Sequence, residues 1–418
     1  MFKFIHAADI HLDSPLKRLE QYEGAPVEEI RHATRRAFEN LVKTAIDEKI
    51  DFVLISGDLY DGDWRDYNTG LFFIKQVTRL REAKIPVYLI AGNHDAANKM
   101  TRSLRLPENV TFFSADSPET ATIEHLDVAI HGQSFATASV SENLAASYPI
   151  AKSGMFNIGL LHTCATGREG HASYAPCSID DLRLKGYDYW ALGHVHTREI
   201  LSQKPMIAFS GNIQGRHIRE TGAKGCLIVS VDENHLVTSE FRALDVLRWE
   251  RLVLDASDAQ NIDEVLNLLP EKIEELLAKN AGLPLAIRVV FNGASPAHHS
   301  LLANKQSLIN GIRAVAIESG RGDIWVEKVK VQTTPIHKIL SEEISLTAIG
   351  ELATLFSESR NDLTKLTEMK FSLTDVVKKL PNEMKETIPS DDPEWLRSLL
   401  TEAESWLISQ LLKSENNE

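Results

Sequence analysis

Five places along this 418-residue chain put a carboxylate, an amide or an imidazole directly after an apolar run. They are Asp9 with His11, Asp58, Asn93-His94-Asp95, His162, and His194 with His196. One such residue at a strand end is an ordinary cap or surface group. Five in succession, with no cysteine among them, make a mixed nitrogen and oxygen donor set that suits a pair of divalent ions better than a single zinc. Asp58 is the natural bridge, because a carboxylate can span two ions about 3.5–4 Å apart and an imidazole cannot. Such a pair is suited to hydrolysis at phosphorus, where it activates a water and neutralises the phosphate oxygens. A positioned acid or base gives roughly 10²–10⁴-fold, about 3–5 kcal/mol. Enzymes lower barriers by about 8–23 kcal/mol, so the ions must supply much of the difference.

The elements that would hold these groups follow from hydrophobic patterning. Residues 2–9 and Asp51 to Ser56 read as strands, as does the run Val87 to Ala91, bounded by Pro86 and Gly92. Helices are expected over Val27 to Glu48 and Thr69 to Ala83. Strand, helix, strand, helix, strand is the pattern of a parallel sheet with right-handed crossovers. Gly92 is expected to let the chain turn sharply off its strand. Further strands are expected at 109–113, 127–131, 155–161, 187–192, 206–209, 225–231 and 237–244. The fold class is therefore α/β, with two facing mixed β-sheets flanked by helices in residues 1–245.

Near Asp245 the character changes. Arg251 to Leu254, a helix over 262–279, Pro284 to Phe291, a helix over 301–316 and Ile324 to Val331 make a β-α-β-α-β unit, an α+β domain over 246–335. Residues 336–418 read as a helical C-terminal segment: 346–356, 363–380, and a helix starting at Asp392-Pro393-Glu394, with Asp as N-cap and Pro at the first helical position. In that last helix Trp395, Leu396, Leu399, Leu400, Trp406, Leu407 and Leu411 form an apolar stripe.

Net charge is −14, unusual for a protein whose whole surface grips nucleic acid. Residues 335–418 hold 9 Lys and Arg against 16 Asp and Glu, so nucleic-acid contact must come from local patches earlier in the chain. No apolar run approaches the roughly 20 residues of a membrane span, and no signal peptide is read at the N-terminus. Three cysteines (Cys164, Cys177, Cys226) form no CxxC pair, which points to a reduced, cytoplasmic setting.

The motifs DxH, GDxxD, GNHD, a strand-end His and GHxH, in this order over residues 9–196, resemble the calcineurin-like metallophosphoesterase superfamily. Within it, Gly57-Asp58-Leu59-Tyr60-Asp61, Ser210-Gly211-Asn212 and the appended unit are similar to the SbcD/YhaO-type DNA repair nuclease subunits. The resemblance implies that Asp9, His11, Asp58 and His196 hold one ion and that Asp58, Asn93, His162 and His194 hold the other, manganese being the usual metal. It implies His94 as the catalytic histidine, aimed by Asp95. It also implies a metal-dependent nuclease, with a DNA-binding capping domain over 246–335 and an SMC-like ATPase partner (YhaN/SbcC type) docked on the C-terminal helices. Homodimerisation through helices of the catalytic domain, and DNA end processing, repair or defence, complete the expectation. Archaeal and eukaryotic relatives carry a second histidine where this chain has Asp61.

Plainer readings stand beside these. His6, His125, His131 and His235 read as ordinary strand residues, and Cys164 as a small buried hydrophobe. Asp61, Arg216 and His217 are candidate substrate contacts, although Arg216 and His217 equally suit a solvated turn. Arg31, Arg35 and Arg36 read as a water-facing set that could touch a DNA backbone. Two other functions fit the same motifs: a phosphodiesterase or phosphatase acting on small molecules, and a non-catalytic DNA-end scaffold. Residues 246–418 weigh against the first, and the intact His94-Asp95 pair against the second.

Overall fold

The computed structural model describes residues 1–14, 32–61, 67–96, 105–165, 174–335, 348–362, 364–366, 368, 373, 377–379 and 392–415. These form two compact units, residues 1–250 with 280–286, and residues 251–279 with 287–418.

In the first unit β1 (Phe2–Ala7), α1 (Ala33–Asp47), β2 (Phe52–Ser56), α2 (Tyr67–Glu82) and β3 (Val87–Ile90) follow the expected alternation. A one-turn helix α3 (Asn93–Ala96) and β4 (Val110–Phe112) come next. Then come β5 (Glu119–Ile123), β6 (Val128–Gly132), β7 (Phe156–His162), α4 (Ile179–Arg183) and β8 (Tyr189–Gly193). β9 (Glu199–Gln203), β10 (Met206–Phe209), β11 (Gly225–Val231) and β12 (Val237–Ala243) complete the unit. Two six-stranded sheets result, ordered β12-β11-β1-β2-β3-β4 and β5-β6-β7-β8-β10-β9. Both are mixed: β1 runs parallel to β2 and antiparallel to β11, and β10 runs parallel to β8 and antiparallel to β9. The start of the helix expected from Val27 lies outside the described residues.

Alternation along each strand divides the core. On β1 and β2, Phe2, Phe4, Phe52 and Leu54 point at the second sheet, packing with Ile130, Phe156, Ile158 and Tyr189. Their neighbours Ile5, Ala7, Val53 and Ile55 point the other way, onto Phe38, Leu41, Phe73 and Val77 of α1 and α2. The Phe4 and Phe52 rings stack at 5.0 Å. On the outer face of the second sheet, Trp190 and Ile207 pack under Tyr148 and Leu182.

β13 (Arg248–Asp255), α5 (Ile262–Asn267), α6 (Leu269–Lys279), β14 (Leu285–Asn292), α7 (His298–Ala303), α8 (Lys305–Ser319) and β15 (Ile324–Val331) realise the expected β-α-β-α-β pattern as a parallel sheet ordered β13-β14-β15. Each of its two expected helices is broken. Pro270 has no N–H to offer Leu266, so the first breaks at Leu268. The second breaks at Asn304, whose backbone leaves the helical region. α9 (Ala348–Asn361) and α10 (Pro393–Glu415) follow. Asp392 caps α10, its carboxylate accepting from Glu394 N at 2.9 Å. α10 lies against α7 and α9, and Leu396 and Leu400 are buried with Leu366. Most of the helix expected over 363–380 lies outside the described residues. Among the described residues no helix is long and apolar enough to cross a membrane.

Of the histidines read as ordinary strand residues, His6 and His131 are buried in the first unit. His125 lies in a 3-10 turn and His235 in a tight turn with a positive φ. His6 ties the two sheets together: one ring nitrogen meets Tyr189 Oη at 2.9 Å, the other Leu192 O at 3.1 Å. Burial pushes its pKa down to about 3, against a backbone hydrogen bond that raises it. The unfolded chain takes up this proton below pH about 6.5 while the folded chain does not. The contribution of neutral His6 to stability is therefore complete above that pH and is lost as pH falls toward 3. His6→Gln is expected to make the urea midpoint less steeply dependent on pH across this window; an unchanged slope would show that His6 is charged in the fold.

Candidate metal centre

The C-terminal ends of parallel strands gather the five polar groups. β1 leads to Asp9 and His11, β2 to Asp58, β3 to Asn93, β7 ends on His162, and β8 leads to His194 and His196. The chain turns left-handed at Asp9 (φ 50), His11 (φ 47), Asp58 (φ 50) and His194 (φ 100). Non-glycine residues rarely adopt this conformation, and it clusters where function demands a fixed geometry. Hydrogen bonds hold it: Asp9 N and His11 N donate to Gly57 O and Asp58 O at 3.1 and 3.0 Å, and His194 N donates to both Asp9 oxygens at 3.1 Å.

The donor atoms converge. His11 Nε2 lies 3.3 Å from His196 Nε2 and 3.8 Å from Asp58 Oδ2, and His196 Nε2 lies 4.0 Å from Asp9 Oδ1. On the other side of Asp58, Oδ2 is 3.5 Å from His162 Nε2, which is 3.0 Å from Asn93 Oδ1. The His194 ring stands 5.2 Å from that of His162. Asp58 thus lies between the His11/His196 group and the His162/Asn93 group. Ligands about 2.0–2.2 Å from a common ion would be spaced in this way, and the donor set is carboxylate, amide and imidazole, as two divalent ions require. Burial pushes His11 and His162 down to about 3, leaving both imidazoles neutral, the form that ligates. Burial pushes Asp9 up to about 7, and a cation beside it would favour the charged form.

Backbone and side-chain partners aim the imidazoles. His162 Nδ1 donates to Ser56 O at 2.9 Å, fixing Nε2 as the ligating nitrogen. His196 Nδ1 donates to Glu220 Oε1 at 2.6 Å. Glu220 is buried and also accepts from Asn212 Nδ2 (2.9 Å) and Arg216 N (2.7 Å). Burial works to raise its pKa, but the bond from His196 and the nearby Arg216 charge hold it well below the usual carboxylate range. Sequence alone does not single out Glu220; its one signal is a glutamate four residues after Arg216 in a polar turn.

Two expected roles change. Asp95 does not aim His94. Its carboxylate turns under the loop and accepts from Gly92 N (3.0 Å), Leu59 N (3.1 Å) and Tyr60 N (2.8 Å), lashing the GNHD turn to the loop after β2. The carboxylate on His94 is Asp61, with Oδ1 2.9 Å from Nδ1. Asp61 also accepts from Ser14 Oγ at 2.6 Å and lies 3.5 Å from His11 Nδ1. Burial would raise Asp61, yet the nearby His11 and the close contacts from His94 and Ser14 hold it far below the usual carboxylate range. His94 is in turn raised, first by its bond to Asp61. Its side chain is 39% exposed, against 0% for His11 and His162 and 21% for His196, so it is more open to solvent than these expected ligands. Gly92 is needed for close approach and not for a left-handed turn, since a Cβ there would sit 2.3 Å from Asp58 Oδ1.

The arginine set is also resolved in part. Arg35 donates to both Asp13 oxygens (2.6 and 2.5 Å) and lies over the Phe72 ring, so it anchors the loop after β1 and is not a spare cation. Arg31 lies outside the described residues. Arg216 enters the site beside Asp61 and His196, while His217 stays half exposed at the rim, 3.5 Å from Glu220. Cys164 is buried, as expected of a small hydrophobe.

Comparison with known proteins agrees with this geometry. The calcineurin-like phosphoesterase family model matches residues 2–198, and the metallophosphoesterase YhaO middle-domain model matches residues 249–334. The chain is 39% identical to the uncharacterized metallophosphoesterase YhaO of Bacillus subtilis over 297 residues, 70% of this chain and 72% of that protein. It is 24% identical over 321 residues to the DNA double-strand break repair protein Mre11 of Sulfurisphaera tokodaii, 74% of this chain and 78% of that one. It is 24% identical over 273 residues to a subunit of the nuclease SbcCD of Staphylococcus epidermidis, 59% of this chain and 70% of that one.

Removing the carboxylate behind His196 tests the orientation argument. Glu220→Ala is expected to weaken divalent-metal binding by about 10–100-fold, measured by calorimetric titration of manganese into metal-free protein. Affinity equal to that of the parent would show that His196 needs no such partner.

Proposed function

Because this chain belongs to the calcineurin-like metallophosphoesterases and carries a YhaO-type middle domain, we propose that it is a manganese-dependent DNA nuclease that hydrolyses phosphodiester bonds at the site described above. The observation that carries the reading is the convergence of Asp9, His11, His162 and His196 on Asp58, with Asn93 against His162, beside an Asp61-His94 pair. Two relatives point the same way by name, one a DNA double-strand break repair protein and one part of a nuclease.

In this reading Asp9, His11, Asp58 and His196 hold one divalent ion, and Asp58, Asn93, His162 and His194 hold the second. When bound, two such ions supply an acidified water and charge neutralisation on the phosphate. The protein supplies the rest. Ser56 O and Glu220 fix the tautomers of His162 and His196. His94 carries its proton on Nε2 toward the leaving oxygen, while Asp61 accepts from Nδ1 and favours the charged imidazolium. Asp95 keeps the loop that bears His94 from drifting by holding three backbone N–H groups.

The remaining assignments extend this reading. Residues 246–335 act as a DNA-binding capping domain. The helices of 336–418 dock an SMC-like ATPase, and Trp406 of α10 is 57% exposed. The catalytic domain forms a homodimer through its helices, and the complex serves DNA end processing, repair or defence.

Nuclease assays on end-labelled duplex and hairpin DNA with manganese, with and without a coexpressed ATPase, test the substrate class. Strand cleavage is expected, and hydrolysis of nucleotide monoesters with DNA left intact would favour a small-molecule phosphatase. The role of His94 has its own signature. His94→Ala should retain two manganese ions by elemental analysis and lose about 10²–10⁴-fold on DNA. On a p-nitrophenyl diester, whose leaving group needs no proton, the loss should be much smaller. Equal losses on both substrates would remove His94 as the proton donor.

A further inference from the structure

Arg216 is a cation at the candidate metal centre whose carboxylate neighbours take their short hydrogen bonds from other groups. The two carboxylates nearest its guanidinium are already satisfied at short range. Asp61 accepts from Ser14 Oγ at 2.6 Å and pairs with His94 Nδ1 at 2.9 Å, while Glu220 accepts from His196 Nδ1 (2.6 Å), Asn212 Nδ2 (2.9 Å) and the Arg216 backbone N (2.7 Å). The guanidinium stands farther off, with Nη1 3.7 Å from Asp61 Oδ2 and Nη2 3.5 Å from Glu220 Oε1. Charge-assisted bonds from arginine lie at about 2.7–2.9 Å and are often bidentate, so neither contact is a made bond. Among the described residues, the oxygen that an arginine donor reaches at hydrogen-bond distance is Ser14 Oγ, 3.3 Å from Nη1. His196 Nδ1 is 3.4 Å from Nη2, but a nitrogen that donates to Glu220 has no lone pair to offer. Nε is buried with no hydrogen-bond partner among the described residues.

The side chain is only 14% exposed, so these donors have also given up most of their water. Partly desolvated donors without acceptors are costly. They are retained where an acceptor arrives from outside, and a guanidinium fork matches the paired oxygens of phosphate. Its charge is felt across the site, helping to depress His11 and countering the rise of His94.

Resting on the phosphoesterase reading of this site, we propose that Arg216 is a catalytic residue that grips the nonbridging oxygens of the scissile phosphate from the Ser14/Asp61 side of the site. Asp61 and Glu220 act as stand-off braces that keep the fork in place without occupying it.

The test uses full-length protein saturated with manganese. Arg216→Ala should keep the parent's manganese content by elemental analysis. Its kcat/KM on bis-(p-nitrophenyl) phosphate should fall by about 10²–10³-fold, the loss typical of one transition-state donor, and inhibition by inorganic phosphate should weaken about tenfold or more. Added guanidinium chloride should restore part of the rate, where the same concentration of sodium chloride does not. Arg216→Lys should recover charge without the fork and fall between the two. An inhibition constant for phosphate unchanged in Arg216→Ala would overturn the proposal. So would a loss of rate that disappears on adding excess manganese, which would make Arg216 a support for the metal ligands alone. Should the parent cleave no diester at all, the phosphoesterase reading fails, yet its phosphate affinity against that of Arg216→Ala still decides the arginine.

Discussion

The two sheets of the first unit touch main chain to main chain at Ser56, and the candidate metal centre depends on that contact. Ser56 O accepts from His162 Nδ1, Ser56 Oγ donates to Ala191 O, and a Cβ on Gly193 would fall 1.9 Å from Ser56 O. Nothing larger than glycine fits at 193, so the ends of β2, β7 and β8 are brought closer than side-chain packing would allow. Elsewhere aromatic rings such as Phe4 and Phe52 fill the space between the sheets. The aromatic layer holds the sheets apart and the Ser56 contact closes them at one end. The five ligand-bearing turns emerge at that closed end, so donors from both sheets can face one another across a few ångströms.

Electrostatics make the arrangement expectant. Asp9 and Asp58 are almost wholly buried, and the histidines around them are held neutral by burial. Like charges with so little solvent are tolerated only when cations compensate them. The second layer is built differently. Asp61 and Glu220 are kept charged by their surroundings, so the carboxylates that orient histidines stay acceptors.

Strand ends are legible because a buried strand announces itself by a continuous apolar run, and the polar residue that stops it is conspicuous. The edge strands β5 and β9 are not: Glu119–Ile123 and Glu199–Gln203 are polar, half-exposed segments paired on one side only, with no apolar run to mark them. Adjacency in sequence suggests Asp95 as the partner of His94. Adjacent side chains on a one-turn helix diverge, however, and the group that reaches His94 comes from a different loop. Ser56 leaves no trace at all, since its contact with His162 is made by a carbonyl that every residue possesses. Glu220 is visible only once the fold returns its turn to His196.

The place of β1 in its sheet has a consequence for how the molecule comes into being. β1 pairs with β2, about fifty residues on, and with β11, more than two hundred residues on. The strand that carries Asp9 and His11 therefore has one edge open until Gly225–Val231 has been made and has docked. During synthesis, nascent chains would hold a half-built centre whose first two ligands lack their final support, and an exposed strand edge beside them. Closure by β11 is then the event that seals this edge of the sheet against wrong partners.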